Sequence, residues 1–233
     1  MTELTEAELA ALQALDTPTV CNALEVVAPE RRRYGFTTKP LVCARPALAP
    51  MVGYARTARI RAKTASALDA ARMRQQRLDY YAYVEGGPRP SIVVIQDLDD
   101  PPGIGAFWGE VQSNIHKGLG CSGTITDGSV RDIPDAAEGF QMIAGMVGPS
   151  HAFVHLVDFD VEVSIHGMDV APGALVHADR HGAVVIPLAV AREVPDAAAL
   201  IARREAVIIG AAQAPGLTMA KLKQAFGNAD DIH

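Results

Sequence analysis

The pattern of apolar and polar positions divides the chain into two helical ends and a middle in which strands alternate with helices. Apolar residues recur at helical spacing in residues 5–15, and a second helix is predicted with Thr17 as its N-cap and Pro18 at its first helical position. From Asp196 onward the pattern is helical again. No internal repeat or low-complexity segment interrupts it.

The middle of the chain predicts an alternation of strands and helices. Strands are predicted at residues 51–62, 91–98, 122–126 and 141–147, and helices at residues 66–87, 110–120 and 134–140. The first of these strands alternates apolar and polar residues, which predicts one face exposed to water. Residues 153–188 are β-rich and are punctuated by turns. This order predicts an α/β fold in one domain spanning residues 1–233, with helical extensions at both ends.

Composition limits the partners that the chain can have. The 233 residues are 49% hydrophobic and carry a net charge of −6, so they can bury a core and lack the basic surface that nucleic acids or anionic membranes require. The N-terminal residues have neither the basic flank nor the apolar core of a signal peptide, which favours a cytoplasmic protein. Cys21, Cys43 and Cys121 are odd in number and lack CxxC spacing, so we expect buried thiols rather than disulfides or a zinc site.

One stretch in the middle carries the candidate chemistry. Glu110 begins a predicted helix, and Arg131 and Asp132 end the strand that follows it. In a β-loop-α-β unit the chain leaves one edge of the sheet, descends along the helix and returns along the next strand to the same edge. We therefore expect Glu110 to meet Arg131 and Asp132 in space.

The residue types at this meeting point suit a small 2-oxo acid. The backbone N–H groups of Val111 and Gln112 are free at a helix N-terminus and favour an anion, and the planar fork of Arg131 suits a carboxylate. Asp132 and Glu110 offer hard oxygen ligands for Mg²⁺ or Mn²⁺, and such a metal would stabilise an enolate. In the alternative interpretation, Asp127, Arg131 and Asp132 form a salt-bridged turn, and Glu110 merely stabilises its helix.

Several other groups could carry chemistry, and each has a plainer interpretation. His177, Asp179 and His181 resemble a two-histidine, one-carboxylate metal triad, but residues 179–182 also suit a hairpin turn. His151 and His155 are expected to line a subunit contact. The segment "GIGAFWG" lacks the last glycine of a dinucleotide fingerprint, Lys117 is poorly placed for a Schiff base, and Trp108 is expected in the core.

The stretch "WGEVQSNIHKGLGCSGTITDGSVRD" resembles the signature of the RraA-like proteins, which group the regulator of ribonuclease E activity with the 4-hydroxy-4-methyl-2-oxoglutarate aldolases. That signature is an acidic residue, twenty residues, then Arg-Asp, here Glu110, residues 111–130, Arg131 and Asp132. The segments "LDTPTVCNALE", "MVGYARTAR" and "APGALVHADRHGAVVIP" also resemble the family. Asn22 and Ala174 depart from it, where we expect aspartate and the pattern Pro-Gly-Asp.

The resemblance implies an αββα sandwich of the swivelling-domain-like type that assembles as a homotrimer or homohexamer with sites between subunits. By carry-over, Arg131 would bind the substrate carboxylate together with Gly109, Val111 and Gln112. Asp132 would ligate a divalent metal such as Mg²⁺, and Glu110 would hold a metal-bound water.

The residues and the resemblance together predict a metal-dependent lyase that acts on a small 2-oxo acid through a pyruvate enolate, as an aldolase or an oxaloacetate decarboxylase. Two alternatives remain. One is a non-catalytic regulator that binds a ribonuclease, and the other is a dehydratase or hydratase of related sugar acids.

Overall fold

A computed structural model describes residues 3–233 of the chain. In these residues the strands are β1 (Val42–Cys43), β2 (Met51–Arg61), β3 (Ser91–Asp97), β4 (Ala106–Trp108), β5 (Cys121–Val130), β6 (Gln141–Val147), β7 (His155–Phe159), β8 (Val163–Ile165), β9 (Met168–Val170), β10 (Leu175–Asp179) and β11 (Gly182–Ile186). The helices are α1 (Glu6–Gln13), α2 (Thr17–Val27), α3 (Ala70–Glu85), α4 (Glu110–Gly118), α5 (Val194–Gln213) and α6 (Met219–Asp230), with a short 3₁₀ helix at Pro29–Arg33.

A large mixed sheet organises these elements. Its main path runs β1-β6-β5-β3-β2-β10-β11, with β4 beside β5 and β7 beside β2. The central strands β2, β3, β5 and β6 are parallel to one another, while β1, β7, β10 and β11 pair antiparallel. A separate hairpin, β8-β9, contacts the main sheet through β3 and β11. Parallel central strands bring the ends of β3, β5 and β6 to one edge, where the candidate site lies.

Three apolar clusters place helices on both outer faces of a double β layer. The innermost cluster joins β2, β3, β5 and β6 to the strands from β8 to β11. The second lies between the sheet and helices α3 and α4, and the third lies under α1, α2 and α5. This is the α/β class and the αββα layering expected from the sequence.

The prediction that one face of β2 is exposed to water is wrong. Positions Met51 to Ala58 are all buried, because layers pack on both faces of β2. Met51 and Ala55 belong to the cluster between the two β layers, and Val52 and Tyr54 belong to the cluster under α1, α2 and α5. Of the three arginines that suggested exposure, Arg59 is half-buried, Arg61 is exposed and only Arg56 is buried. Arg56, which is 9% exposed, stacks its guanidinium 4.4 Å from the ring centre of Tyr83, and this contact keeps a buried cation over an aromatic face.

Two predicted elements near the site differ in the structure. Strand β5 is longer than the predicted residues 122–126: it continues to Val130 through a register shift between Thr126 and Ser129, and so ends directly before Arg131 and Asp132 as expected. The predicted helix at residues 134–140 is a series of turns. Its role is taken by the guanidinium of Arg45, which donates hydrogen bonds to the carbonyl oxygens of Ile133, Ala136 and Ala137 and so satisfies the polar groups that a helix would have paired.

The start of α2 differs by one residue from the prediction. Asp16, not Thr17, is the N-cap, and its carboxylate accepts a hydrogen bond from the Thr19 amide at 2.9 Å. The Thr17 hydroxyl instead bonds Nδ1 of His177 at 3.0 Å. The other ring nitrogen of His177 donates to the carbonyl of Leu15 at 3.0 Å, so this buried histidine ties the start of α2 to β10.

The hairpin interpretation of residues 179–182 agrees with the structure. Asp179 pairs with Gly182 across the β10-β11 turn, and its carboxylate accepts hydrogen bonds from the amides of Thr17 and His181. Because His177 points to Thr17 and Leu15 rather than to His181, the three side chains do not converge on a metal. All three cysteines are free thiols, but only Cys121 is fully buried, so the expectation of burial holds in part for Cys21 and Cys43.

Candidate active site

The structure brings the predicted meeting point together. Helix α4 begins at Glu110, and the Arg131 amide donates to the carbonyl of Trp108 at 2.9 Å, which aligns the end of β5 with the strand that leads into the helix. The Glu110 amide lies 3.4 Å from Oδ2 of Asp132, and the same oxygen lies 3.4 Å from Nη1 of Arg131. The expected juxtaposition of Glu110, Arg131 and Asp132 is therefore present.

Gly109 is required by the closeness of this contact. A Cβ atom at position 109 would lie 2.6 Å from Oδ2 of Asp132 and 3.2 Å from Cγ of Arg131, too close for any side chain to fit without displacing them. Asp132 itself has a φ angle of 52°, in the left-handed region that aspartate tolerates better than most residues. The turn after β5 thus presses the Asp132 carboxylate against the start of α4.

A cleft of about 500 Å³ opens beside this turn. Of the predicted site residues, Gly109, Val111, Gln112 and Arg131 line it, while Glu110 and Asp132 adjoin lining residues in sequence but do not line it themselves. The opposite walls come from α3 and from the loop before β7. These walls contribute Met73, Gln76, Arg77, His151, Phe153 and His155.

The first turn of α4 presents free hydrogen-bond donors to the cleft. Its N-cap, Gly109, has no side chain to cap the helix. Within residues 3–233 the amides of Val111 and Gln112 have no acceptor. Unpaired N–H groups at the positive end of a helix favour an anion, and the half-exposed Arg131 supplies a full positive charge beside them.

The two histidines of the opposite wall are locked in orientation. His151 and His155 each donate a hydrogen bond from Nδ1 to a nearby backbone carbonyl at 2.8 Å, those of Ala152 and Phe153. Their Nε2 atoms therefore remain as the free acceptors. Both residues line the cleft of their own chain, and their expected place in a subunit contact stays a prediction.

A buried hydrogen-bond chain supports α4 from behind. His116 donates from Nδ1 to the carbonyl of Gln112 at 2.7 Å, and Tyr80 donates to Nε2 of His116 at 2.8 Å. Burial lowers the pKa of His116 to about 4 and raises the pKa of Tyr80 well above its ordinary value, so both stay neutral at neutral pH. Trp108 is fully buried, as expected, and its ring centre lies 4.6 Å from that of His116.

Asp127 takes no part in the turn of Arg131 and Asp132. Its carboxylate accepts a hydrogen bond from the Asp97 amide at 2.8 Å, and burial raises its pKa to about 6. The alternative of a three-residue salt-bridged turn is therefore reduced to one contact between Arg131 and Asp132.

The metal expectation can be compared with the donors that the chain provides. Across residues 3–233 no three His, Cys, Asp or Glu side chains are grouped so as to hold a metal ion. Mg²⁺, however, is commonly held by one or two carboxylates, with waters and substrate oxygens completing its shell. Asp132 has one oxygen directed to Arg131 and the Glu110 amide, and the other makes no hydrogen bond to any part of the chain described. These residues therefore fit a metal site in which water and substrate oxygens supply most of the ligands, and not one in which the protein supplies all of them.

The sequence pattern did not predict the side chains behind and opposite the site. These are His116 and Tyr80 behind α4, and the residues of α3 across the cleft. For His116, the available signal was its four-residue spacing from Gln112 on a helix. Nothing in the sequence distinguishes Tyr80, which points to His116, from Tyr81, which points to Gln112. The two departures from the expected pattern lie elsewhere in the chain. Asn22 is exposed on α2, and Ala174 belongs to the turn before β10.

The family model RraA-like, described as Aldolase/RraA, matches residues 17–185, and the chain belongs to this family. Helices α5 and α6 lie beyond the matched range. Among curated proteins no sequence matches the chain. None of the helices in residues 3–233 is both long enough and apolar enough to cross a membrane.

Solved structures share the fold at low sequence identity. An uncharacterized protein from Pseudomonas syringae pv. tomato DC3000 is 24% identical, with a TM-score of 0.72 over 97% of this chain and 96% of that one. RraAS2 of Streptomyces coelicolor, an unusual member of the RNase ES inhibitor family, is 23% identical, with a TM-score of 0.67 over 88% of this chain and 96% of its own. The RNA-processing inhibitor RraA from Thermus thermophilis is 18% identical, with a TM-score of 0.50 over 70% of this chain and 90% of its own.

Proposed function

We propose that this protein is a divalent-metal-dependent carbon–carbon lyase that acts on a small 2-oxo acid, either a 4-hydroxy-2-oxo acid or oxaloacetate. One observation carries the proposal. Arg131 lines a cleft beside unpaired amides of a helix N-terminus, and its guanidinium lies 3.4 Å from the carboxylate of Asp132. A binding surface for another protein has no need of a carboxylate receptor and a potential metal ligand side by side.

Arg131 and the amides of Val111 and Gln112 would hold the substrate carboxylate. The guanidinium fork can donate two parallel hydrogen bonds, and the amides add donors that are fixed by the helix. This anchoring fixes the adjacent 2-oxo group beside Asp132. When the C3–C4 bond breaks, its electron pair is delocalised onto the 2-oxo oxygen and forms an enolate. Protonation of this enolate at C3 then gives pyruvate. The leaving part is CO₂ from oxaloacetate, or a carbonyl compound from a 4-hydroxy acid that has lost its hydroxyl proton.

Asp132 would hold the divalent cation directly, and Glu110 would hold it through a water molecule. Mg²⁺ or Mn²⁺ supplies Lewis-acid stabilisation of the enolate charge when bound. The positive end of α4 adds to that stabilisation because its free N–H groups face the same place. The turn that presses Asp132 against Gly109 keeps the carboxylate in position without help from the substrate.

The proposal is tested by measuring pyruvate release from oxaloacetate and from a set of 4-hydroxy-2-oxo acids, with Mg²⁺, with Mn²⁺ and with a chelator. We expect release that stops on chelation and returns with metal. A folded protein that releases no pyruvate from any of these compounds would contradict the lyase assignment. In that event, loss of water from a sugar acid would favour a dehydratase, and binding to a ribonuclease would favour a regulator.

A further inference from the structure

Arg56 is a buried cation that the chain leaves without a counter-ion. It lies on β2, is 9% exposed, and belongs to none of the ion pairs in residues 3–233. Its Nε is sealed from water and has no acceptor in those residues, whereas its two terminal nitrogens are not sealed in this way. Because a buried charge is costly unless it is paired, this guanidinium calls for an anion from outside the chain.

Tyr83 and Gly87 hold the guanidinium of Arg56 in one place. Its central carbon lies 4.4 Å from the ring centre of Tyr83. A Cβ atom at position 87 would overlap three atoms of the same group, so only glycine fits there while the guanidinium keeps its place. The hydrogen-bond donors are therefore fixed before any ligand arrives, and little conformational entropy is lost on binding.

Arg89 brings a second positive charge to the same region. It is exposed and forms no ion pair within residues 3–233, and its Nη1 would lie 2.6 Å from a Cβ atom at position 120. Burial raises the pKa of the adjacent Cys121 thiol, and a hydrogen bond from Ser91 lowers it. The charges of Arg89 and Arg56 also lower this pKa, so both guanidinium groups lie near the Cys121 sulfur.

This region is separate from the candidate active site. Across the sheet, Arg56 is level with Val93 and Thr124, near the starts of β3 and β5. Arg131 follows the opposite end of β5. The separation along that strand is about 20 Å, so a small ion cannot contact both places.

We infer that Arg56 and Arg89 form a binding site for a phosphate group, either inorganic phosphate or the terminal phosphate of an ester. Two guanidinium groups without a carboxylate partner supply two positive charges, which suit the charge of about −1.5 to −2 that a phosphate group carries at neutral pH. Its oxygens accept hydrogen bonds from the terminal nitrogens of both groups. The site does not depend on the chemistry at Arg131.

Thermal unfolding and calorimetry with inorganic phosphate test the site. A chelator is present, so that no metal-bound phosphate contributes, and chloride keeps the ionic strength constant. Saturating phosphate should raise the wild-type Tm by about 3 °C or more. Arg56→Met keeps an apolar stem beside Tyr83 and removes the charge. Without phosphate it should be at least as stable as the wild type, because it no longer buries an unpaired cation, and it should bind phosphate at least about tenfold more weakly.

Matched pairs of variants separate the anion site from general effects on folding. Gly87→Ala should displace the Arg56 guanidinium and lose the response to phosphate. Gly86→Ala, in the same loop, is its control, because its backbone has a φ of −73° and the added Cβ would meet nothing closer than 3.4 Å. Arg89→Gln should weaken phosphate binding, while Arg74→Gln, at an exposed position of α3, should leave it unchanged.

Three results would overturn the inference. The first is an equal response to phosphate in the wild type and in Arg56→Met, and the second is a response that Arg131→Ala abolishes, because phosphate would then bind at the start of α4. The third is acetate that binds as tightly as phosphate. Glycerol phosphate distinguishes the two sources: binding at least as tight as that of inorganic phosphate indicates an ester, and weaker binding indicates the free ion.

Discussion

The buried histidine behind α4 makes the stability of the protein depend on pH in a predictable direction. Burial lowers the pKa of His116 from the ordinary value of 6.5 to about 4, although its hydrogen bond to the Gln112 carbonyl acts the other way. The unfolded chain therefore takes up a proton before the folded chain does. The contribution of the neutral, buried ring is fully present above pH 6.5 and is lost as the pH falls from 6.5 toward about 4.

The magnitude follows from these two pKa values. Between about pH 7.5 and about pH 5, a shift of this size removes ~2 kcal/mol from the free energy of unfolding. Asp127 works in the opposite direction: its pKa of about 6 lies above the ordinary 3.8, so the folded state gains stability as the pH falls from about 6 toward 3.8. The wild-type curve alone is therefore a sum of opposing effects, and a variant is needed to isolate His116.

His116→Gln is suitable because it keeps a polar side chain but cannot titrate. We expect the variant to be less stable than the wild type at about pH 7.5, and the gap between them to narrow by ~2 kcal/mol at about pH 5. Urea unfolding at one protein concentration measures both gaps. Lys117→Gln, on an exposed position of the same helix, controls for the substitution itself. A gap that is the same at both pH values would refute the neutral, buried state assigned to His116.

Three further predictions concern the site and the assembly. Arg131→Lys keeps the charge but loses the planar guanidinium, so KM should rise about tenfold with a smaller fall in kcat. A variant whose melting temperature falls together with its activity would instead show that Arg131 only stabilises the fold. Asp132→Asn should weaken Mg²⁺ binding in calorimetry, and unchanged affinity would remove Asp132 from the metal site. Light scattering should give three or six times the chain mass of 24.6 kDa, and a monomer would contradict the predicted trimer or hexamer.

The parts of the site that the sequence predicts are those set by chain direction. The spacing between Glu110 and Arg131 matches one helix down and one strand back, and parallel strands return the chain to the same edge. The four layers of the fold follow similarly from runs of apolar residues. These features depend on the local pattern and on connectivity, both of which can be read along one chain.

The parts that the sequence does not predict are set by contacts between distant segments. The β2 strand looks half-exposed until β8 and β9 on one face, and α1, α2 and α5 on the other, cover it. The opposite wall of the cleft is unpredictable for the same reason, because Tyr81 on α3 meets Gln112 on α4 only in the folded chain. The Thr17 hydroxyl does not cap α2, because it hydrogen-bonds His177, a residue that is far away in sequence.

The guanidinium of Arg45 has a consequence for how substitutions are tolerated. Its hydrogen bonds to three carbonyls hold the segment directly after Asp132 in place of a helix. Because an arginine pairs with backbone oxygens, which every residue has, the side chains at positions 133–137 are left free to vary as far as these bonds are concerned. The hydrogen bonds that hold the turn therefore depend on the residue at position 45, nearly ninety residues earlier in the chain, and not on the side chains of the turn. Random mutagenesis should therefore find position 45 intolerant and the exposed turn positions Pro134 and Asp135 permissive, although the turn lies beside the chemistry and Arg45 does not. The buried Ala136 and Ala137 should accept only small apolar side chains.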